Sequence, residues 1–274
     1  MGGYLPTVYG SDEIVITDID QLDVRDRAAV EAAIDMHRPS RVFHLAAETD
    51  VDRCEKEPDH AYRENVIGTL NVALACQKRD IEMVYISTVG VFGGIDKADL
   101  YTEFDTPSPV SVYGKTKLEG ERVVQDLLKR YYIVRAGWMM GGGPQKDHKF
   151  VGKMAQLVYA RDEIAAVDDK LGTPTYAKQL VANLRALTES GYYGLYHCVN
   201  GGMCSRYDMA VEIAKYFGRN VKVKPVNSAY FPLPAPRPRS EAGRNYKLER
   251  LGLNQMTGWR EALRDYLGSW VSRA

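Results

Sequence analysis

Met83-Val84-Tyr85-Ile86-Ser87-Thr88 is an unbroken apolar run that ends in two hydroxyls, and long helical patterns flank it. Upstream, residues 61–79 carry Val66, Leu70, Val72, Leu74 and Ala75; downstream, residues 113–130 carry Leu118, Val123, Val124, Leu127 and Leu128. A strand that is apolar on both faces is buried on both, as in a parallel sheet covered by helices. The alternation repeats outward. Arg41-Val42-Phe43-His44-Leu45 and Tyr132-Ile133-Val134-Arg135 read as strands, residues 25–37 as a helix, and Ile14-Val15-Ile16-Thr17 as a strand ending at Asp18. The pattern predicts an α/β fold with a doubly wound parallel sheet, whose ligands sit beyond the carboxyl ends of the strands.

Composition narrows the function classes. The 274 residues hold 36 Lys+Arg against 36 Asp+Glu, so no broad basic surface for nucleic acid or an acidic membrane is expected. No apolar stretch approaches the ~20 residues that span a bilayer, and no basic start with an apolar core marks a signal peptide. Cys54, Cys76, Cys198 and Cys204 form no C-x-x-C pair and read as reduced, which points to the cytoplasm and to no metal site. Past residue 145 the alternation weakens, after the break Gly141-Gly142-Gly143-Pro144. Tyr230–Ser240 is a proline-rich loop: either a rigid surface connection or a segment covering a substrate, with Arg237 and Arg239 able to hold an anion.

Beyond the Ser87-Thr88 strand end comes Tyr113-Gly114-Lys115-Thr116-Lys117. At i and i+4, Tyr113 and Lys117 share a helix face, and an ammonium there is expected to lower the phenol's pKa by one to three units. Such a phenol can exchange a proton with a substrate oxygen. The spacing alone arises by chance about once in a chain with 18 tyrosines. Its weight comes from opening the helix that follows the strand ending in Ser87-Thr88.

Ser87-Thr88 followed by Tyr113-x-x-x-Lys117 resembles the extended short-chain dehydrogenase/reductases, and within them the dTDP-4-dehydrorhamnose reductase family. Matching stretches run in order: His44-Leu45-Ala46-Ala47-Glu48-Thr49-Asp50-Val51-Asp52, Cys54-Glu55-x-x-Pro58, Asn65-x-x-Gly68-Thr69, Tyr101-x-Glu103, Lys117-Leu118-Glu119-Gly120-Glu121, Arg135-x-x-Trp138 and Gly172-x-Pro174-Thr175. The resemblance implies a Rossmann-like dinucleotide-binding domain over residues 1–145 and a smaller substrate lobe over 146–274, partly interleaved with it. It implies reduction of the C4 keto group of a 4-keto-6-deoxy nucleotide sugar, most simply dTDP-4-dehydrorhamnose to dTDP-L-rhamnose, with NADH or NADPH as cofactor. Tyr113 would be the general acid, Lys117 would hold the nicotinamide ribose, and Thr88 would polarise the carbonyl. Cofactor contacts would come from Gly3, Leu5, Asp18, Asp23, Val24, Ala46, Ala47 and Asn65 as well. Ser87, Trp138, Arg237 and Arg239 would face the substrate, although Trp138 also reads as a core residue and the two aspartates as loop residues. A carboxylate at Asp18 leans toward NADH, since it repels a 2′-phosphate. A homodimer stays open.

Two departures qualify the resemblance. The family opens on a strand running into Gly-x-x-Gly-x-x-Gly, whereas this sequence starts Met1-Gly2-Gly3-Tyr4-Leu5-Pro6, with its first strand lacking and its first helix nearly absent. Unless further residues precede Met1, weakened dinucleotide binding is expected. Second, Val89-Gly90 stands where the reductases commonly carry Asp-Tyr after the threonine, which leaves the sugar less secure and rules against 4,6-dehydration. An epimerase that retains its NAD, or a non-catalytic subunit similar to the regulatory subunit of methionine adenosyltransferase, remain the competing readings.

Overall fold

The computed structural model describes residues 1–271. The strands are β1 (Arg41–His44), β2 (Glu82–Thr88), β3 (Tyr131–Ala136), β4 (Trp138–Met140), β5 (Glu163–Val167), β6 (Leu171–Gly172), β7 (Pro174–Tyr176), β8 (Gly194–His197), β9 (Cys204–Ser205) and β10 (Lys222–Val226). The helices are α1 (Leu5–Val8), α2 (Arg27–His37), α3 (Val51–Lys56), α4 (Pro58–Tyr62), α5 (Gly68–Lys78), α6 (Val112–Leu127), α7 (Phe150–Ala160), α8 (Ala177–Ser190), α9 (Arg206–Tyr216), α10 (Tyr246–Arg250) and α11 (Trp259–Val271).

A parallel sheet in the order β1-β2-β3-β8 forms the centre. Alternate residues of a strand point to opposite faces. Met83, Tyr85 and Ile133 therefore pack on Val30 and Ile34 of α2, Val72 of α5 and Val124 of α6. Val84, Tyr132 and Val134 meet Leu180, Leu184 and Leu187 of α8 and Leu248 of α10 on the other face. Each such buried side chain contributes on the order of 1.5–3 kcal/mol. The expected α/β architecture with helices on both faces is present. A second core gathers β4, α7, β5, β7, α9 and α11 around Met154, Ile164, Tyr176, Met209, Ile213 and Leu263. The later half of the chain also contributes α8 and β8 to the first core, so the two cores interleave.

Two local readings differ from expectation. Residues 14–17 are not a strand: they have no ladder partner, and Val15 and Ile16 are 50% and 55% exposed. Local β-branched composition favours extended backbone, but a strand persists through its hydrogen-bonded neighbour, and β1 pairs only with β2. The first helix is nearly absent, as expected. A 3₁₀ turn over Gly2–Tyr4 runs into α1, where Leu5 packs on Val181 of α8, and Tyr9 just beyond α1 bonds Thr188 through its hydroxyl at 3.2 Å. The single helix expected over 61–79 is interrupted by a π-turn at Arg63–Ile67. Such turns often mark functional sites, and this one carries buried Asn65.

Helix α6 is fastened to the sheet by a buried ion pair. Arg135 of β3 donates to both carboxylate oxygens of Glu121, at 2.8 and 2.6 Å, and Ser87 of β2 donates to the same carboxylate. Both charged side chains are almost wholly excluded from solvent. Removing one member of such a pair strands the other charge, typically at about 3–5 kcal/mol. Glu121→Ala should therefore lose about that much in denaturant melts, whereas Ser87→Ala, forfeiting one hydrogen bond to the carboxylate, should lose less, about 1.5–3 kcal/mol.

Candidate active site

The carboxyl end of β2 delivers Thr88, and the chain then turns through a short 3₁₀ segment at Val89–Val91. The Thr88 hydroxyl accepts from the Gly90 amide at 3.0 Å, which fixes its position at the strand's tip. Helix α6 begins against that turn. Ser111 caps it by accepting from the Gly114 amide at 3.2 Å, and the Val112 amide donates to Glu55 at 3.0 Å. Position 114 must be glycine, because a Cβ there would lie 2.4 Å from the Gly90 carbonyl oxygen. That close approach brings Tyr113 beside Thr88. Tyr113, Lys117 and Glu121 then follow at i, i+4 and i+8 on one helix face, with Glu121 anchoring that face to the sheet.

A cavity of about 2390 Å³ runs past these groups. Its lining includes the irregular segment from Ile14 to Ile19 and the edge of β1, the groups Thr88, Tyr113 and Lys117, and the side chains of Trp138, Phe150, Arg206, Arg237 and Glu241. Most residues singled out in the sequence meet here: Gly3, Leu5, Asp18, Asp23, Val24, Ala46 and Ala47 all line the cavity. The Asp23 carboxyl is held below its usual range by the Arg25 guanidinium, 2.6 Å away.

Three expected site residues are engaged with other parts of the protein. Asn65 is buried, accepts from the Glu48 amide at 2.8 Å and donates to the Glu48 carbonyl and to Thr116, so it clamps the segment after β1 onto α6. Ser87 lines the cavity but donates its hydroxyl hydrogen to Glu121, which leaves it only acceptor capacity. Arg239 is 76% exposed, pairs with Asp96 at 3.3 Å and is not among the cavity residues, whereas Arg237 lines the cavity and pairs with Asp52 at 3.0 Å.

Charge within the site is set mainly by burial. The Lys117 ammonium is pushed down to about 7 by desolvation, which the nearby Glu121 carboxylate only partly offsets. It rests 4.1 Å from the Tyr85 ring centre, and no acceptor among the described residues takes its hydrogen bonds. The Tyr113 phenol is raised, chiefly by desolvation and secondarily by the Glu241 carboxylate, against the neighbouring Thr88 hydroxyl. This corrects the expectation of a lysine-lowered phenol. Helical spacing gives proximity, but burial decides the sign, and Tyr113 holds its proton through neutral pH. A buried, unsatisfied ammonium beside a phenol on a cavity wall fits the hydroxyl-rich ribose of a nicotinamide nucleotide, and small Ala46 and Ala47 leave room along β1's exit. No group of three or more His, Cys, Asp or Glu able to hold a metal is found among the described residues, nor any helix long and apolar enough to cross a membrane.

The sequence profile described as "RmlD substrate binding domain" matches residues 7–271. The chain belongs to that family. Among curated relatives, a dTDP-4-dehydrorhamnose reductase of Mycolicibacterium smegmatis is 36% identical over 253 residues, covering 92% of this chain and 76% of its own. Solved dTDP-4-dehydrorhamnose reductases of Clostridium acetobutylicum (39% identical) and Bacillus anthracis (36%, in complex with NADP) each superpose with a TM-score of 0.93 over 98% of this chain and 95% of theirs.

Glu241, Arg206 and Phe150 escaped the sequence reading of this RmlD-family chain. Glu241 follows the proline-rich loop and carried no local signal. Its carboxylate accepts from the Trp138 indole N–H, while the Arg206 guanidinium stacks 3.8 Å from the Trp138 ring centre and 4.7 Å from that of Phe150. Trp138 is thus a wall residue of the cavity.

The depressed lysine has a measurable consequence. The Lys117 pKa falls from 10.5 to about 7, so between those values the unfolded chain binds more protons than the folded one. Stability then rises with pH across that window, and the desolvation penalty is full below it. Lys117→Met should raise the unliganded melting temperature by several degrees at pH 6, with the gain shrinking toward pH 10. A gain independent of pH would contradict the buried, titrating ammonium.

Proposed function

We propose that this chain reduces the C4 keto group of a 4-keto-6-deoxy nucleotide sugar, dTDP-4-dehydrorhamnose being the first choice, to the corresponding alcohol. The observation that carries this reading is one cavity lined both by Thr88, Tyr113 and Lys117 and by Trp138, Arg237 and Glu241. The same substrate name recurs among the curated and solved relatives.

When bound, the nicotinamide supplies the hydride. The chain's own residues handle the oxygen. Thr88 donates a hydrogen bond to the carbonyl from the tip of β2, which polarises it. As negative charge grows on that oxygen, Tyr113 transfers its phenolic proton to it, giving the alcohol and a tyrosinate. A raised phenol suits this role, since a general acid must hold its proton at the working pH. Lys117 would bind the ribose hydroxyls and, in its ammonium form, steady the transient tyrosinate. Arg237 would meet the substrate's phosphates.

For the cofactor, Asp18 supports a preference for NADH. Its side chain is exposed at the cavity's edge and accepts only from the Ile19 amide, at 2.8 Å, which leaves acceptor capacity for ribose hydroxyls. The Bacillus anthracis relative was solved with NADP, so the two cofactors need direct comparison. Asp18→Asn should shift the ratio of kcat/KM for NADH over NADPH by about tenfold toward NADPH, the size expected of one charge beside a phosphate.

Tyr113→Phe tests the main proposal. Loss of a general acid removes about 10²–10⁴-fold in kcat, and the dissociation constant for the dinucleotide should change less than about threefold because the ring is retained. An unchanged kcat would remove Tyr113 from the chemistry.

A further inference from the structure

The turn after Thr88 offers a substrate nothing polar of its own: Val89 is buried and apolar, and Gly90 has no side chain. A polar group nevertheless reaches that spot from elsewhere in the fold. A Cβ placed on Gly90 would lie 3.2 Å from Glu241 Oε2 and 3.2 Å from Thr88 Oγ1, so the carboxylate and the threonine hydroxyl flank one small opening beside the glycine. Any side chain at 90 would press on both oxygens.

Glu241 is held in place rather than left to swing. Trp138 donates its indole N–H to Oε1, which leaves Oε2 as the oxygen turned to Gly90. Desolvation raises the pKa of this carboxyl, an effect that the Trp138 hydrogen bond and the nearby Arg206 and Arg237 cations partly offset. Arg206 is itself stacked on the Trp138 and Phe150 rings. The backbone on either side of Glu241 is fixed too: its amide donates to the Leu171 carbonyl at 3.0 Å, and the Ala242 carbonyl accepts from Tyr101 at 2.8 Å. A carboxylate so oriented in a cavity, with one oxygen uncommitted, is an acceptor for a ligand O–H.

We propose that Glu241 is the sugar-reading residue of this site, its Oε2 accepting a hydrogen bond from the C3 hydroxyl of the keto sugar while Thr88 and Tyr113 hold the C4 oxygen. The proposal rests on the keto-sugar reduction proposed above. In a 4-keto-6-deoxy ring C3 is the only neighbour of the carbonyl that bears a hydroxyl, since C5 bears the methyl group. Vicinal oxygens on one ring match two protein oxygens flanking one opening. The consequence is specificity: the chain should discriminate against substrates that lack or have replaced that hydroxyl, because the buried carboxylate would then stay unpaired.

The test pairs Glu241→Gln with a 3-deoxy analogue of the dTDP-4-keto-6-deoxy sugar, comparing kcat/KM across both proteins and both substrates. Glutamine keeps the size and can still accept from Trp138, but turns a donor toward the sugar. A hydrogen bond to a charged group contributes about 1.5–3 kcal/mol, so the variant should lose roughly 10- to 150-fold on the parent sugar. On the 3-deoxy analogue it should lose less than about threefold, with dinucleotide affinity unchanged in both cases. Equal losses on both substrates would mark Glu241 as merely structural and overturn the proposal, as would a loss below threefold on the parent. If the wild-type protein reduces neither sugar, the reduction reading itself fails, and calorimetry still judges Glu241. Wild-type protein should bind dTDP-rhamnose more tightly than dTDP, and Glu241→Gln should abolish that advantage; an advantage retained in the variant would refute the assignment.

Discussion

The carboxylate of Glu121 is the fixed point of this molecule. It lies inside the protein with the Arg135 guanidinium across both its oxygens and the Ser87 hydroxyl beside it, so helix α6, strand β2 and strand β3 meet at one charge. Two charges buried this deeply persist only with near-complete hydrogen bonding, and that demand leaves α6 very little freedom to slide or rotate. Lys117 and Tyr113 sit one and two turns away on the same helix face. Their alignment with Thr88 is inherited from an ion pair whose two members do not line the cavity.

Burial then sets how those two groups behave. In water a phenol and an ammonium one turn apart would stabilise the tyrosinate; here desolvation outweighs that attraction and works on both, keeping the phenol protonated and bringing the amine down to about 7. The pair is poised as a neutral acid beside an amine that titrates near physiological pH. A ribose placed against Lys117 would give the ammonium its missing acceptors, and under the proposed reaction cofactor binding and proton delivery would then be coupled through a single side chain. The wall beside Gly90 follows a similar logic, with Trp138 and Arg206 orienting a carboxylate that the turn after Thr88 cannot supply.

Much of this was legible in the chain because it depends on local pattern. The apolar run 83–86, the amphipathic stretch 113–127 and the hydroxyls at a strand's end follow from period and position, and they place Thr88, Tyr113 and Lys117 together. What escaped depends on the path of the whole fold. Glu241 lies 151 residues from Gly90, and nothing near it in sequence distinguishes it from a surface glutamate. Ser87 has the right chemistry for a substrate contact, but a buried Glu121 claims its hydroxyl. Ile14–Thr17 has every local mark of a strand and lacks only the neighbour that would make it one.

The most direct test of the account is a stoichiometric turnover. Purified wild-type protein would be mixed with a limiting amount of dTDP-4-dehydrorhamnose and an excess of NADH or NADPH, following nicotinamide absorbance and then identifying the sugar product by NMR. The account predicts one dinucleotide oxidised per sugar and a single new C4 alcohol. Dinucleotide that binds, as judged by calorimetry, yet is not consumed in the presence of the keto sugar would contradict it.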